Sequence, residues 1–538
     1  MKKIVSLFAT LATLLVIFSL FFSQPNNSND TFKKRISRIP ASISTPDDPH
    51  ARANWELQRL QDPATGAIPP DIRKKEFEFA KTIPTKEDFV RERLHKTGEV
   101  AESAVLQWTH RGPFNVGGRT RALAIDASDE NTMLAGGVAG GMWRSTDGGN
   151  SWARMTDLTD HPSVTSISQD TRPGKTNVWY YGTGEIIGST RAPGAPYRGD
   201  GIFKSVDGGI TWTQLSSTAT NLPHIFDQAF DYVWDVVINP ANATQDEVFA
   251  ATYSEIKRSV NGGASWQTVL GDFDTQFGAF YTEIAVTSSG VFYATMSQAT
   301  VFQDATPSNT NGIYRSENGI NWTKITPSGW PSRYNRTVLG IAPSNENIIY
   351  FLSNTPGDGK NDHQIWKYTY ISGDGSGSGG VWENRSSNMP GADGTDDVGN
   401  FDSQRSYDLM IRVKPNNPDI VFIGGTNLYR STDGFASPSR IQWIGGYNAI
   451  RRNFSLYPNH HPDQHALVFL PSNPNVMYSS NDGGVSRTDN NTVESVNWTS
   501  LNNGYLTTQF FTVTIDQAST GSNLLIGGMQ DNSTYFVN

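Results

Sequence analysis

A tryptophan-terminated motif recurs along this chain at nearly regular intervals and limits the possible folds more than any other feature. Its clearer copies read RSTDGGNSW at 144–152, KSVDGGITW at 204–212, RSVNGGASW at 258–266, RSENGINW at 315–322 and RSTDGFASPSRIQW at 430–443. Weaker copies end at Trp382 and Trp498, so the seven tryptophans lie 60, 54, 56, 60, 61 and 55 residues apart. A period of this length predicts a chain of repeated structural units.

Each repeat unit has room for four short strands. Upstream of the tryptophans lie pairs of apolar runs joined by polar turns, such as ALAIDASDENTMLAGG and IRVKPNNPDIVFIGG, and the motif adds a second hairpin. Four-stranded units of about 50 residues, repeated at least seven times, predict an all-β chain that forms a β-propeller, in which blades bury their faces against one another. The content of 50 glycines, 28 prolines and 14 tryptophans agrees with a large, turn-rich β-structure.

The motif is predicted to form the hairpin between the third and fourth strands of a blade. Its glycines supply positive φ angles at the turn, its aspartate accepts backbone N–H bonds, and its tryptophan fills the space between blades. The predicted structural residues of the three close copies are Ser145, Asp147, Gly149, Trp152, Ser205, Asp207, Gly209, Trp212, Ser259, Asn261, Gly263 and Trp266. Because Asn261 keeps the acceptor but loses the charge, a structural role is favoured over calcium binding.

The N-terminus predicts an exported protein. Residues 1–23 combine two lysines with a long apolar run, which indicates a signal peptide or an uncleaved membrane anchor. Residues 24–48 are predicted to be a linker, 49–107 a helical arm, 108–505 a seven-bladed propeller, and 506–538 the start of a further blade or second propeller that continues beyond this sequence. We expect an extracellular or cell-surface monomer that contacts a membrane only through its N-terminal segment.

Charge and cysteine content exclude several classes of function. The net charge is -9 and no basic cluster lies outside the N-terminus, which argues against a nucleic-acid partner. The chain has no cysteine, so disulfides, thiolate metal sites and cysteine nucleophiles are excluded.

The repeated motif resembles the Asp-box, or BNR repeat, with the pattern S-x-D-x-G-x-[ST]-W. The resemblance covers about residues 108–538 and implies a β-propeller, in a family that includes sialidases, xyloglucanases and sortilin-type receptors. With its helical arm and the phrases GPFNVGGRTRALAID and HPDQHALVF, the chain is most similar to large exported proteins of Bacteroidetes, which often leave by type IX secretion. No C-terminal sorting domain is visible in this sequence.

Comparison with the enzymes of this family gives a mixed result. The Arg-Ile-Pro of sialidases is matched by Arg38-Ile39-Pro40, but this match lies in the predicted linker and is attributed to chance. The xyloglucanase phrase Y-A-R-T-D-I-G-G-A-Y-R, whose Asp is catalytic, aligns with LAGGVAGGMWR at 134–144 and places Val138 at the Asp position. Since such hydrolases need two carboxylates, this loss should abolish the mechanism, unless Asp482 in YSSNDGGVSR, which resembles the second motif, works with a carboxylate from elsewhere.

Propeller topology predicts where a site should lie. The start of the first strand and the end of the second strand of each blade meet at one rim of the channel, because the two strands are antiparallel. The predicted ligand-binding rim consists of Arg119, Arg121, Tyr232, Asn335, Tyr407, Asn427, His461, Asp463, His465, Asn481 and Gln530. The candidate catalytic carboxylates at the same rim are Glu185, Asp482 and Asp531.

The phrase HPDQHALVF is the most distinctive local pattern at this rim. On a strand, His461, Asp463 and His465 would point to one face and could bind zinc or another divalent ion. They could also form a hydrogen-bonded network with Asp482, or act in acid–base catalysis. The network is favoured, and no cofactor is expected.

Two functions of different classes follow from this rim. The favoured interpretation is an exported propeller that binds a polysaccharide or an extracellular protein without catalysis. The alternative is a glycoside hydrolase, xyloglucanase-like or of another polysaccharide-degrading kind, that uses the rim carboxylates. A pair of carboxylates roughly 5 to 10 Å apart across an open cleft would favour the hydrolase.

Overall fold

The described part of the chain belongs to one compact unit, Glu56–Asn538. The computed structural model describes residues 57–58, 60–83, 112–157, 159–186, 197–222, 225–273, 279–297, 309–355, 362–391, 401–447, 456–519 and 521–537. The predicted signal segment, the linker with Arg38-Ile39-Pro40, and much of the arm lie outside these residues. Within the described part, no helix is both long and apolar enough to cross a membrane.

Antiparallel strands build most of the described structure. Blade 1 contains β1 (Thr120–Ile125), β2 (Met133–Gly137), β3 (Gly141–Ser145) and β4 (Ala153–Arg154). Blade 2 contains β5 (Ser166–Gln169), β6 (Trp179–Gly182), β7 (Ile202–Ser205) and β8 (Thr213–Gln214). Blade 3 contains β9 (Val233–Ile238), β10 (Val248–Thr252), β11 (Glu255–Ser259) and β12 (Gln267–Gly271). Blade 4 contains β13 (Tyr281–Val286), β14 (Phe292–Ser297), β15 (Gly312–Ser316) and β16 (Thr323–Lys324).

The pattern continues to the C-terminus. Blade 5 contains β17 (Thr337–Ile341), β18 (Ile348–Asn354), β19 (His363–Tyr370) and β20 (Gly380–Asn384). Blade 6 contains β21 (Met410–Val413), β22 (Val421–Gly424), β23 (Leu428–Ser431) and β24 (Ile441–Gly445). Blade 7 contains β25 (Gln464–Leu470), β26 (Asn473–Asn481), β27 (Gly484–Thr488) and β28 (Thr499–Ser500). A three-stranded eighth sheet contains β29 (Phe510–Ile515), β30 (Leu525–Met529) and β31 (Thr534–Val537). The arm contributes helix α1 (Ile72–Thr82).

The first strands of the seven four-stranded sheets form a closed ring. In each sheet the strands pair in chain order. Strands β1, β5, β9, β13, β17, β21 and β25 each contact the first strand of the next blade, and β25 contacts β1. This arrangement confirms the predicted all-β fold class, a propeller of seven blades with an eighth sheet begun.

The motif loops (145–152, 205–212 and 259–266) connect the third and fourth strands of blades 1 to 3. In the first loop, the Ser145 hydroxyl donates to Asp147 Oδ1 at 2.7 Å and accepts the Gly149 N–H at 2.9 Å. Gly149 has a φ angle of 90°, and a Cβ there would lie 2.8 Å from a methyl carbon of Leu501. Glycine is therefore required by both the turn and the packing.

Each motif tryptophan packs between its own blade and the preceding one. Trp152 lies among Met133 and Trp143 of blade 1 and Tyr478 of blade 7. Trp212 packs edge-on against Tyr181, in a cluster that joins blades 1 and 2. In blades 5 and 6 the corresponding Trp382 and Trp443 lie within the fourth strand itself.

Asparagine is expected to replace aspartate in a motif loop at little cost. Asp207 Oδ1 accepts the Thr211 N–H at 2.9 Å, and Asn261 Oδ1 accepts the Ser265 N–H at 3.0 Å in the equivalent loop. We expect Asp207→Asn to change the free energy of unfolding by less than about 0.5 kcal/mol, and Asp207→Ala to lower it by about 1–2 kcal/mol. Urea denaturation measures both, and equal losses would show that the loop depends on the charge.

Candidate functional site

One end of the channel gathers ionisable side chains from four sheets and the eighth sheet's turn. Strand starts contribute Arg119 and Arg121 of blade 1, Tyr407 and Asp408 of blade 6, and Asp463 and His465 of blade 7. Turns after second strands contribute Glu185 of blade 2, Asp482 of blade 7 and Asp531 of the eighth sheet. We call these nine residues the rim cluster. Residues nearly 400 positions apart meet here because every blade presents the same two chain positions to the channel.

Glu185 is held by both arginines of blade 1. Its side chain is 1% exposed, with Oε1 2.5 Å from Arg121 Nε and Oε2 3.6 Å from Arg119 Nη1. Arg119 also donates to the Tyr407 hydroxyl at 2.6 Å, and the Arg121 guanidinium lies 4.5 Å from the centre of the Tyr407 ring. Buried charges of this kind are tolerated only when paired, so these contacts give Glu185 a fixed position.

A second group of acids surrounds His465. Asp482 Oδ1 lies 2.6 Å and Asp408 Oδ1 3.9 Å from His465 Nε2. Burial lowers the pKa of His465 well below its usual value, so the imidazole is neutral. Burial, followed by the charges of Asp463 and Asp482, raises the pKa of Asp408 well above its usual range. Asp408 is 0% exposed, so burial favours its protonated form.

Asp408 lies against a second buried acid. Its hydrogen-bonding contact is with the Asp463 carboxyl, whose pKa is also raised, mainly by burial. Gln404 Nε2 donates to Asp463 Oδ1 at 2.9 Å. A proton on one Asp408 oxygen can bridge to Asp463, while the other Asp408 oxygen accepts no hydrogen bond from a described residue.

Among the three candidate catalytic carboxylates, Asp531 is the one that reaches solvent. It follows β30 at a φ angle of 57° and is exposed, whereas Asp482 is 3% exposed. The carboxyl itself faces Asp482, and desolvation together with the Asp482 charge raises the pKa of Asp531 to about 6. Burial also raises the pKa of Asp482 to about 6. The two carboxyls, in hydrogen-bonding contact, therefore both have pKa values raised to about 6.

The predicted alternation of His461, Asp463 and His465 on one strand is wrong. Strand β25 begins at Gln464, and Asp463 has a φ angle of 67°, so His461 and Asp463 precede the strand. The His461 ring contacts the backbone oxygen of Asp531 at 3.0 Å, while His465 contacts Asp482. Within the described residues, no three His, Asp or Glu side chains are placed to hold a metal ion.

Six predicted rim residues lie outside the rim cluster, namely His461, described above, and five others. Tyr232 packs against Phe226 and Tyr253, and Asn335 donates to Asn354 Oδ1 at 2.5 Å. The remaining three make local contacts: Asn427 accepts the Tyr447 N–H at 2.6 Å, Asn481 accepts the Gly483 N–H at 3.0 Å, and Gln530 donates to Asp531 Oδ2 at 2.7 Å. These contacts hold turns in place.

The sequence analysis missed Asp408, Gln509 and Tyr197. Gln509, just before β29, accepts from Arg119 Nη2 at 3.2 Å and donates to the Tyr197 hydroxyl. Asp408 had one available signal, because it follows the predicted rim residue Tyr407 directly. Tyr197 and Gln509 had none, since their partners come from distant blades.

Val138 is a buried apolar residue beside the rim cluster. It is 1% exposed, and its N–H donates to the Arg119 carbonyl at 2.9 Å. The negative charges of Glu185 and Asp482 both act on Arg119. Glu185 of blade 2 and Asp482 of blade 7 thus lie close to Val138 of blade 1, a position without a carboxylate.

Comparison with known proteins places the chain near xyloglucanases. No family model matches it. It is 25% identical over 296 residues to a xyloglucanase of Acetivibrio thermocellus, covering 49% of this chain and 32% of that protein. It is 27% identical over 278 residues to a xyloglucanase of a Paenibacillus species, covering 44% and 25%. The chain therefore spans about a third or less of the length of these curated relatives.

Solved structures give the same picture at the level of the fold. A GH74 enzyme of Niastella koreensis has a TM-score of 0.51 at 16% identity, covering 79% of this chain and 59% of that one. The GH74 xyloglucanase from Xanthomonas campestris has a TM-score of 0.53 at 15% identity, covering 80% and 60%. Similarity at these identities shows a shared propeller fold.

These relatives correct the favoured functional interpretation. The sequence analysis preferred a propeller that binds without catalysis, but the curated relatives that match this sequence are named xyloglucanases. The hydrolase alternative is the better supported of the two.

Proposed function

We propose that this chain is a glycoside hydrolase that cleaves a polysaccharide of the xyloglucan class, with Asp531 as the general acid. The observation that carries the proposal is Asp531 itself, an exposed residue whose carboxyl is in hydrogen-bonding contact with the buried Asp482 and whose pKa is raised to about 6. A general acid must hold a proton at working pH and release it to the leaving oxygen, and a pKa near 6 suits both steps.

The second carboxylate must come from another blade, because Val138 stands where the resembling enzymes have Asp. Asp482 is in hydrogen-bonding contact with Asp531, which leaves no room for a sugar between the two carboxyls, so its effect is to keep the acid protonated. Glu185, which lies near Arg119, is the remaining candidate for the second carboxylate. The roles separate experimentally, since Asp482 contacts Asp531 directly, whereas Glu185 is paired with Arg119 and Arg121.

The remaining features of the proposal follow from the sequence. The motif loops support membership among Asp-box propellers, and residues 1–23 support export, so the substrate is expected outside the cytoplasm. The proposed hydrolase works without a cofactor or resident metal, like other glycosidases that need only two carboxyl groups. It is also proposed to act as a monomer.

The full chain is expected to release reducing ends from xyloglucan. Purified protein is incubated with xyloglucan and, as a matched substrate, with an α-linked glucan. New reducing ends are quantified, and retention on each polysaccharide is measured in parallel. Release from xyloglucan alone supports the proposal. Retention on xyloglucan by natively folded protein, with no release, would contradict hydrolysis and leave binding.

A further inference from the structure

A cavity of about 550 Å³ separates the arm from blade 2. Ile68 and Ile72 of the arm line one side, and His161, Tyr197 and Asp200 of blade 2 line the other. Helix α1 has no buried residue, so the arm spans this space without closing it by direct packing. The volume falls within the roughly 300–1,000 Å³ typical of small-ligand sites.

The cavity lining suits an uncharged ligand with hydroxyl groups. Its charged residues balance, with three acids and three bases, which are Asp71, Asp160, Asp200, Arg73, Lys74 and Arg198. Desolvation lowers the pKa of His161 to about 4, so its ring is neutral. The apolar and aromatic residues of the lining can contact the faces of a sugar, and its balanced charged and polar residues can bind the hydroxyls.

Tyr197, which lines the cavity, is linked to the rim cluster by hydrogen bonds. The Tyr197 hydroxyl accepts from Gln509 Nε2, and its backbone pairs with Glu185 at 2.6 and 2.8 Å. The Gln509 carbonyl accepts the Gln530 N–H at 2.9 Å, immediately before Asp531. The cavity lining and Asp531 are therefore joined through Gln509 by two hydrogen-bonded contacts.

We propose that the arm and blade 2 form a distal subsite that holds a neutral sugar unit of the same polysaccharide. The proposal rests on the proposed function, because the ligand class is taken from it. The subsite depends on the arm, so a change on the cavity side of α1 alters binding of long ligands and leaves the rim cluster intact.

The test compares ligand length and two tryptophan substitutions on the same helix. Ile72→Trp places a bulky indole in the cavity, and Phe79→Trp is the control, since Phe79 is 67% exposed and does not line the cavity. Affinities are measured by calorimetry on the full chain carrying Asp531→Asn, with xyloglucan oligosaccharides of one and two repeat units. We expect Ile72→Trp to weaken binding of the longer oligosaccharide about tenfold and to leave the shorter one unchanged. Phe79→Trp should change neither.

The outcomes separate the two proposals. Unchanged affinity of Ile72→Trp for the longer oligosaccharide overturns the subsite, whether or not the wild-type chain hydrolyses xyloglucan. Length-dependent binding that is lost in Ile72→Trp supports the subsite even if no hydrolysis is found. If Ile72→Trp lowers Tm, Ile68→Trp repeats the test from a position outside the helix.

Discussion

Asp531→Asn is expected to lower kcat on xyloglucan by about 10²- to 10⁴-fold, the usual contribution of a general acid. Asparagine keeps the shape of the side chain but cannot donate a proton to the leaving oxygen. The control is Asp516→Asn, which removes another carboxylate from the same sheet, next to β29. Initial rates of reducing-end release and Tm are measured for both variants. An active Asp531→Asn enzyme with native Tm would remove Asp531 from the site.

The dependence of the hydrolysis rate on pH tests whether Asp531 acts in its protonated form. The acid must be protonated, so activity should fall as the pH rises through about 6, the raised pKa of Asp531. Asp482 is one cause of that raised pKa, so Asp482→Asn should move the falling limb to lower pH. If Glu185 supplies the second carboxylate, Glu185→Gln should leave the falling limb of the profile at the same pH. A limb that stays fixed in Asp482→Asn would contradict the interaction between the two aspartates.

The propeller could be predicted because its determinants are local and repeated. Each copy of the motif carries its own glycines and hydrogen-bond acceptor, so the hairpin before Trp152 forms from contacts within about eight residues. The regular spacing of the copies then predicts the repeated blades. Closing the ring adds only one contact to this pattern, because seven equal blades bury their faces once β1 packs against β25. The strand boundaries were predicted less accurately, because Trp382 lies within the fourth strand of its blade, β20, and not in the loop before it.

The rim cluster could be predicted in position but not in chemistry. Antiparallel pairing indicated that Arg119 and Asp482 share one rim, yet pairing says nothing about burial or protonation. The prediction that Asp463 lies on the strand was wrong because its φ angle, directly after Pro462, is positive. The strand therefore begins after Asp463, and the Asp463 side chain contacts Asp408. The raised pKa of Asp408 comes first from burial and then from the charges of Asp463 and Asp482, which lie more than fifty residues away in sequence and which only the folded chain brings close.

Trp152→Ala is expected to cost about 3–5 kcal/mol of the free energy of unfolding, because it opens a cavity at the contact that closes the ring. Trp152 is 8% exposed, and its Nε1 donates to the Leu501 carbonyl at 2.7 Å, so the substitution also removes a link between blades 1 and 7. Tyr505 packs against the same ring, with centroids 5.3 Å apart.

Trp212→Ala provides the matched comparison at the same motif position. Trp212 is half-buried, and its Nε1 has no hydrogen-bond partner among the described residues. Its loss should cost clearly less than that of Trp152, since less apolar surface and no hydrogen bond disappear. Urea denaturation of both variants at neutral pH measures the difference. Equal costs would show that the contact between blades 1 and 7 is no stronger than any other blade interface, and that ring closure has no special share in stability.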